Sequence, residues 1–181
     1  YTIHVLHNID ISTLKKVAYG IDFGWTNATA VLAIGFDGDG RAYILDEFYK
    51  TQVRNEELAA AMNEFYGKYG KGTAWCDSSE PATIDFLKRS GIDARPKTNK
   101  REDGIKEVGG RLEKAGDGRP RLYIHSQCVN TIDEFQNYDE KRKEHDHSAD
   151  GAMYCLAMES LSAGSQRLRT APIGVVAGRY R

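Results

Sequence analysis

The sequence predicts a single α/β domain built on a mixed central sheet, an antiparallel meander joined to parallel strands, with helices on its faces. Three observations carry this. Residues 17–49 contain three closely spaced segments with strand periodicity, separated by turn residues. From about residue 55 the pattern changes to short apolar runs alternating with helix-period stripes, the arrangement that yields parallel strands and crossover helices. The chain has 181 residues and a mass of 20.2 kDa, room for one sizeable core and too little for two ordinary domains.

Residues 1–16 are weakly patterned and read as a lead-in, a linker or an edge strand. In residues 17–24, Val17, Tyr19, Ile21 and Phe23 fall on one face, and Ala18, Gly20, Asp22 and Gly24 on the other. The small residues on that second face leave room around Asp22. A second strand is expected over 29–36, a tight turn at Asp37-Gly-Asp-Gly40 and a third strand over 41–49. Leu58, Met62, Phe65 and Tyr66 make a helix stripe over about 55–69, ended by Gly67 and Gly70. Thr73–Asp77 is a short strand. Ser79 is placed to cap a helix with Pro81 in its first turn and Ile84 and Leu87 inward. Another short strand is expected at 91–95, then a helix over 102–115 on Ile105, Val108 and Leu112. A short extended segment at 122–124 precedes a helix around 129–139 with Ile132 and Phe135. The last helix begins near Asp146, with the stripe Ala149, Ala152, Met153, Leu156 and Leu161. Residues 164–181 carry four arginines and no acid, and read as a loose or edge-pairing tail. The expected organisation is a lead-in at 1–16, one domain at 17–165 and a basic tail at 166–181.

Composition narrows the function. Twenty-five Lys and Arg against 26 Asp and Glu give a formal charge of -1, which excludes a strongly basic coat but not local basic patches. No stretch is apolar enough to span a membrane, and no secretory signal pattern is present. Cys76, Cys128 and Cys155 are widely separated and odd in number, so they form neither a disulfide framework nor a zinc box and suit a reducing compartment. The first residue is Tyr, as expected of a fragment or processed product. No GxxxxGK[ST], GxGxxG, CxxC, HExxH or GxSxG occurs; Gly70-Lys-Gly-Thr73 only looks like part of a phosphate loop.

Three acidic positions stand out. Asp22 lies in a strand on its small-residue face, where an acid is costly unless paired or bound to a metal; it also suits a strand-end acceptor of turn amides. Asp77 ends a strand just before a helix start, where open α/β sheets place ligands; it also suits a helper in capping that helix. Asp146-His-Ser-Ala-Asp150 is the densest constellation. His147 and Asp150, three apart, share a helix face, as do Asp146 and Asp150. A capping Asp beside an ordinary exposed His would give the same pattern. Three converging carboxylates would make an oxygen-rich site that needs a hard cation such as Mg²⁺ or Mn²⁺, and two such ions suit phosphodiester cleavage.

Residues 88–121 hold 11 bases against six acids, a local net of +5 that could track a phosphate backbone or simply form a solvated helix surface. The Lys141-Arg-Lys143 run adds charge beside the acidic constellation. Trp25 and Trp75 lie near the candidate acids and are expected to pack in the core or at its rim rather than to form a base-stacking platform.

Between about 17 and 160 the chain resembles the C-terminal nuclease domain of tailed-bacteriophage terminase large subunits. The resemblance rests on GIDFGWTNATAV at 20–31, WCDSSEPATIDFL at 75–87, Lys97, GIKEVGGRL at 104–112, LYIHSQCVNTIDEF at 122–135 and DHSADGAMY at 146–154. The last is the most specific, being similar to the family's DHxxDAxRY-type ending. The resemblance implies an RNase H-like fold and a divalent-metal-dependent endonuclease that cuts concatemeric double-stranded viral DNA during packaging, using two Mg²⁺ or Mn²⁺ ions with water as nucleophile. It implies Asp22, Asp77 and Asp150 as metal ligands and catalytic residues, with His147 beside them. Lys97 matches a basic residue near the groove, and Lys100, Arg101, Lys106 and Lys143 are the further expected DNA contacts. Gly151 stands where Ala is usual and Met153 where Arg is common. The implied partners are an N-terminal ATPase motor in the full protein, the portal and the small terminase subunit, all in the cytoplasm of an infected bacterium, with no membrane.

Other readings stay open at this point. Another RNase H-like nuclease or a resolvase would share the chemistry. Gly20-Ile-Asp-Phe-Gly-Trp-Thr-Asn27 also resembles the first phosphate loop of an actin- or Hsp70-like nucleotide-binding module, but the chain is too short for both lobes and has no second DxGGG-like loop. A catalytically silent binding domain is the remaining alternative.

Overall fold

The computed structural model describes residues 2–138 and 146–170, with the backbone alone for 164–170. Its strands are β1 (Val5–Leu6), β2 (Lys16–Asp22), β3 (Thr29–Phe36), β4 (Ala42–Lys50), β5 (Ala74–Cys76), β6 (Ala94–Pro96) and β7 (Leu122–His125). Its helices are α1 (Asn55–Tyr69), α2 (Pro81–Arg89), α3 (Arg101–Leu112), α4 (Val129–Asn137) and α5 (His147–Thr170). The sheet order is β1-β7-β4-β3-β2-β5-β6. β2, β3 and β4 form the antiparallel meander, and the β1–β7, β4–β7, β2–β5 and β5–β6 pairs are parallel. The mixed α/β architecture expected from the sequence is the one observed. The lead-in supplies β1 at the sheet edge, and α5 carries on to Thr170 through the start of the expected tail.

Alternation along the strands sends side chains to two cores. Tyr19, Ile21, Val31 and Ala33 pack with α1 and α2 through Leu58, Met62, Phe65, Ile84 and Leu87. Ala18, Leu32, Ile34 and Ile44 pack on the other face with Val108 and Leu112 of α3 and with Ala152, Met153 and Leu156 of α5. That second face carries Gly20 and Asp22. Helix α5 crosses β2 so closely that a Cβ on Gly20 would lie 2.0 Å from the Gly151 carbonyl oxygen. A Cβ on Gly151 would meet its nearest neighbour at 3.5 Å, an ordinary contact, so Gly151 could be alanine and Gly20 could not. Met153 is buried with its Cβ against Gly104 of α3, an apolar place for a position where Arg is common in the resembling family.

A bulge in β4 sets which side chains reach that face. Pairing with β3 runs Ala33↔Asp46 and then Ile34↔Ile44, so Leu45 is the extra residue. The shift turns Asp46 toward α1, where it accepts from Lys68 Nζ and the Tyr69 hydroxyl. It puts Glu47 and Tyr49 on the α4–α5 side, opposite Leu32 and Ala30.

Several local expectations are corrected. Ser79 does not cap α2: Glu80 holds the N-cap position, and the Ser79 hydroxyl donates to Asp77 Oδ2 at 2.5 Å. Gly67 lies inside α1, which ends at Gly70 with φ +99°, a conformation open to glycine. Leu161, expected on the inward stripe of α5, is exposed. Trp75 is buried, with its indole N–H donating to Glu159, but Trp25 is 60% exposed and belongs to neither core.

Candidate metal and nuclease site

The three acids meet at one end of the sheet for reasons of topology. β2 and β5 are parallel with Ile21 opposite Cys76, so Asp22 and Asp77 follow side by side at their carboxyl ends; the Asp77 N–H donates to the Ile21 carbonyl at 3.1 Å. The tight Gly20–Gly151 crossing then brings the first turn of α5 over β2. His147 Nδ1 donates to Asp22 Oδ2 at 2.9 Å, and the Tyr154 hydroxyl donates to Asp22 Oδ1 at 3.1 Å. Asp150 lies on the same side of α5, three residues from His147 and four from Tyr154.

Burial dominates the electrostatics. It raises the Asp22 carboxyl above its ordinary value, with the bonds from His147 and Tyr154 opposing and the Asp77 charge adding to the rise. The Asp22 contact raises the His147 imidazole, against its own burial. Burial pushes the Asp150 carboxyl up to about 7; the Asp146 and Asp22 charges add to the rise, while Arg101 and His147 oppose it. Tyr154 is raised far enough, by burial and the surrounding carboxylates, to remain a hydrogen-bond donor.

Asp146 stands immediately before α5, its carbonyl accepting from the Asp150 N–H at 2.7 Å. It is buried, and its Oδ2 accepts from Arg101 Nη2 at 2.5 Å. The same nitrogen is 3.5 Å from Asp150 Oδ1, an ion-pair distance without a hydrogen bond, and that buried oxygen has no hydrogen-bond partner. Arg101, expected to face DNA, is therefore turned inward onto the acids. Lys97 is half-buried with Nζ 4.6 Å over the Tyr154 ring, beside the site. Lys100 and Lys106 are exposed around the start and outer side of α3. Lys143 lies outside the described residues. Of the other bases in 88–121, Arg95 pairs with Asp93 and Arg111 with Glu107, which reduces the field the local count suggests.

Among the described residues, no three His, Cys, Asp and Glu side chains already stand where they could close around one ion. The donor set nevertheless fits a hard divalent cation. Asp22 and Asp150 are both disfavoured as anions by burial and by neighbouring carboxylates, and the buried Asp150 oxygen lacks a hydrogen-bond partner. A divalent ion would relieve both.

Sequence reasoning missed the residues that hold α5 in place. Glu134 of α4 is 4% exposed. Its Oε2 accepts from the Ser148 and Ala149 N–H groups at 2.7 and 3.1 Å, and its Oε1 accepts from the Tyr49 hydroxyl at 2.8 Å. Glu47 of β4 does the same for α4, accepting from the Asn130 and Thr131 N–H groups and both side chains. A carboxylate at each helix N-terminus satisfies open amides and complements the dipole. The chain sheet, α4, α5 thus fixes His147 and Asp150. The available signals were Tyr154 at helical spacing from His147 and Asp150, and Glu134 on the inward stripe with Thr131, Phe135 and Tyr138.

A mixed sheet of this order, with acids gathered where β2, β5 and α5 meet, defines an RNase H-like fold. It is the fold of phage large-terminase nuclease domains. The large terminase of a thermophilic bacteriophage superposes with a TM-score of 0.71 at 23% identity, over 83% of this chain and 41% of that one. The nuclease domain of the bacteriophage SPP1 large terminase, solved with bound Mn, gives a TM-score of 0.67 at 20% identity, covering 87% and 96%. The large terminase nuclease of the thermophilic phage G20c with bound Magnesium gives 0.62 at 15% identity, covering 87% and 92%. The chain therefore spans about two fifths of the first of these proteins and nearly all of the two isolated nuclease domains. No protein-family model matches the sequence, and no curated protein does.

Proposed function

We propose that this chain is a divalent-metal-dependent DNA endonuclease, the cutting module of a phage large terminase, acting on concatemeric double-stranded DNA during genome packaging. The observation that carries the reading is the meeting of Asp22, Asp77 and Asp150 at one end of an RNase H-like sheet, where burial disfavours the Asp22 and Asp150 anions that a cation would stabilise. Asp22 would be shared by two Mg²⁺ or Mn²⁺ ions, with Asp77 and Asp150 each holding one. Such ions supply charge neutralisation at the phosphate and acidify water.

The chain's own residues do the rest. The Tyr154 and His147 bonds fix both oxygens of Asp22, so the carboxylate is oriented before substrate arrives. With Nδ1 committed to Asp22, His147 exchanges a proton through Nε2, with the attacking water or the leaving oxygen. Ser79 holds Asp77 Oδ2. Lys97, Lys100 and Lys106 contact phosphates and carry little base information, so cutting by this domain has weak sequence preference. Products carry a 3′ hydroxyl and a 5′ phosphate. In the full protein the module works with an N-terminal ATPase motor, the portal and the small subunit, in the cytoplasm of the infected host.

The test is incubation of supercoiled plasmid with the chain in Mg²⁺, Mn²⁺ or EDTA. Nicked and linear products with religatable ends are expected in either metal and none in EDTA. Plasmid left intact in both metals at high protein concentration would contradict the reading.

A further inference from the structure

Trp25 is held by its backbone and left open at its side chain. The loop between β2 and β3 is closed by Thr29, whose Oγ1 accepts from the Gly24 N–H at 3.1 Å and donates to the Gly24 carbonyl at 2.7 Å. A Cβ on Gly24 would lie 2.5 Å from the Ala28 carbonyl oxygen, so the loop admits no side chain there. The Trp25 carbonyl accepts from the Gln52 N–H at 2.9 Å, and Gln52 has φ +56°, a conformation uncommon outside glycine. Backbone strain is thus accepted beside a fixed loop whose indole is 60% exposed.

Trp25 lines an open cleft of about 500 Å³ together with Phe23, Val53, Arg54, Thr83 and Phe86. Its volume would take a nucleotide-sized group. Charge argues for which part of one. Glu56 and Glu80 line the cleft against a single Arg54, a poor seat for a phosphate. Three aromatic residues in the lining suit an uncharged planar group, and every nucleobase has a π-face to stack. Location names the source. Trp25 is three residues beyond Asp22, so their Cα atoms are at most about 11 Å apart. The walls Phe23, Val53 and Phe86 belong to the α1–α2 side of the sheet and Asp22 to the α5 side, so cleft and acids flank the carboxyl end of β2 from its two faces.

We propose that the Trp25 cleft is a stacking subsite for an unpaired base of the DNA strand held at the Asp22–Asp77–Asp150 site. The subsite rests on the nuclease reading for the identity of its ligand. A base inside an intact duplex cannot enter, so the cleft favours strands opened next to the scissile phosphate.

Indole fluorescence tests this, since buried Trp75 contributes a constant background. The protein is titrated with a 12-nucleotide oligothymidylate in EDTA at low salt, and separately with a fully paired 12-base-pair duplex. Wild type is expected to show saturable quenching by the single strand that Trp25→Leu lacks. Trp25→Leu should bind that strand about 5- to 100-fold more weakly, the range base–aromatic stacking carries, with duplex affinity changed less than about twofold. Trp25→Phe should restore most of the affinity. Absence of quenching, or equal single-strand affinity in wild type and Trp25→Leu, overturns the subsite. A DNA-independent, concentration-dependent shift of Trp25 emission, as from a protein partner or second copy on the cleft, also overturns it. Plasmid cutting without quenching would leave the nuclease reading standing and remove the subsite; quenching without metal-dependent cutting would do the reverse.

Discussion

Replacing Glu134 by alanine removes the carboxylate that seats the first turn of α5. Three hydrogen bonds go with it, two from the Ser148 and Ala149 N–H groups and one from the Tyr49 hydroxyl. Loss of a helix cap costs about 1–2 kcal/mol, and each buried donor left without a partner costs about 1–3 kcal/mol. The opposing effect is relief of an unfavourable burial, seen in the raised Glu134 carboxyl, whose largest cause is desolvation. The balance predicts a destabilisation of about 3 kcal/mol. For a chain of this size that is a fall in Tm of about 6–12 °C. Glu134→Gln keeps a carbonyl acceptor for the two amides and loses the charge, so it should cost about 1–2 kcal/mol less than alanine. Urea and thermal unfolding of the three proteins at pH 7 measure both differences. Alanine within about 0.5 kcal/mol of wild type, or glutamine no better than alanine, would refute the capping argument.

Two further outcomes follow from the packing. Gly20→Ala forces a Cβ to within 2.0 Å of the Gly151 carbonyl oxygen and should destabilise by about 3 kcal/mol or more, whereas Gly151→Ala meets only an ordinary contact and should stabilise by about 0.5–1 kcal/mol through helix propensity; paired unfolding curves check the contrast. Cys76, Cys128 and Cys155 are free and buried, and burial raises all three thiols, Cys76 to about 12, so an aromatic disulfide reagent should find no thiol in the native protein and three in denaturant.

The sheet was legible because its strands alternate cleanly. Val17 to Phe23 showed which face carries Asp22, and the helix stripes of α1, α2 and α3 were carried by large apolar residues at 3.6 spacing. The positions of Asp22, Asp77, His147 and Asp150 at element ends were readable; their meeting was not. It depends on the Ile21↔Cys76 register and on how closely α5 approaches Gly20, both properties of the assembled sheet. Glu47 was hidden for a sharper reason. Continuous alternation from Ile44 would turn it toward α1, and only the bulge at Leu45 moves it to the face where it caps α4. Arg101 looked like part of a basic surface because charge counting along a chain cannot see Asp146 coming from 45 residues away. Trp25 was expected in the core or at its rim; it lies instead in a loop held through backbone bonds, with its side chain 60% exposed.

The central claim is that Asp22, Asp77 and Asp150 form one divalent-cation site. Calorimetric titration of Mn²⁺ into the wild-type chain and into Asp22→Asn, Asp77→Asn and Asp150→Asn, each verified as folded, tests it most directly. Saturable binding by wild type, abolished in Asp22→Asn and weakened in each of the other two, is the predicted result. Binding unchanged by Asp22→Asn, or no binding by wild type, would contradict it.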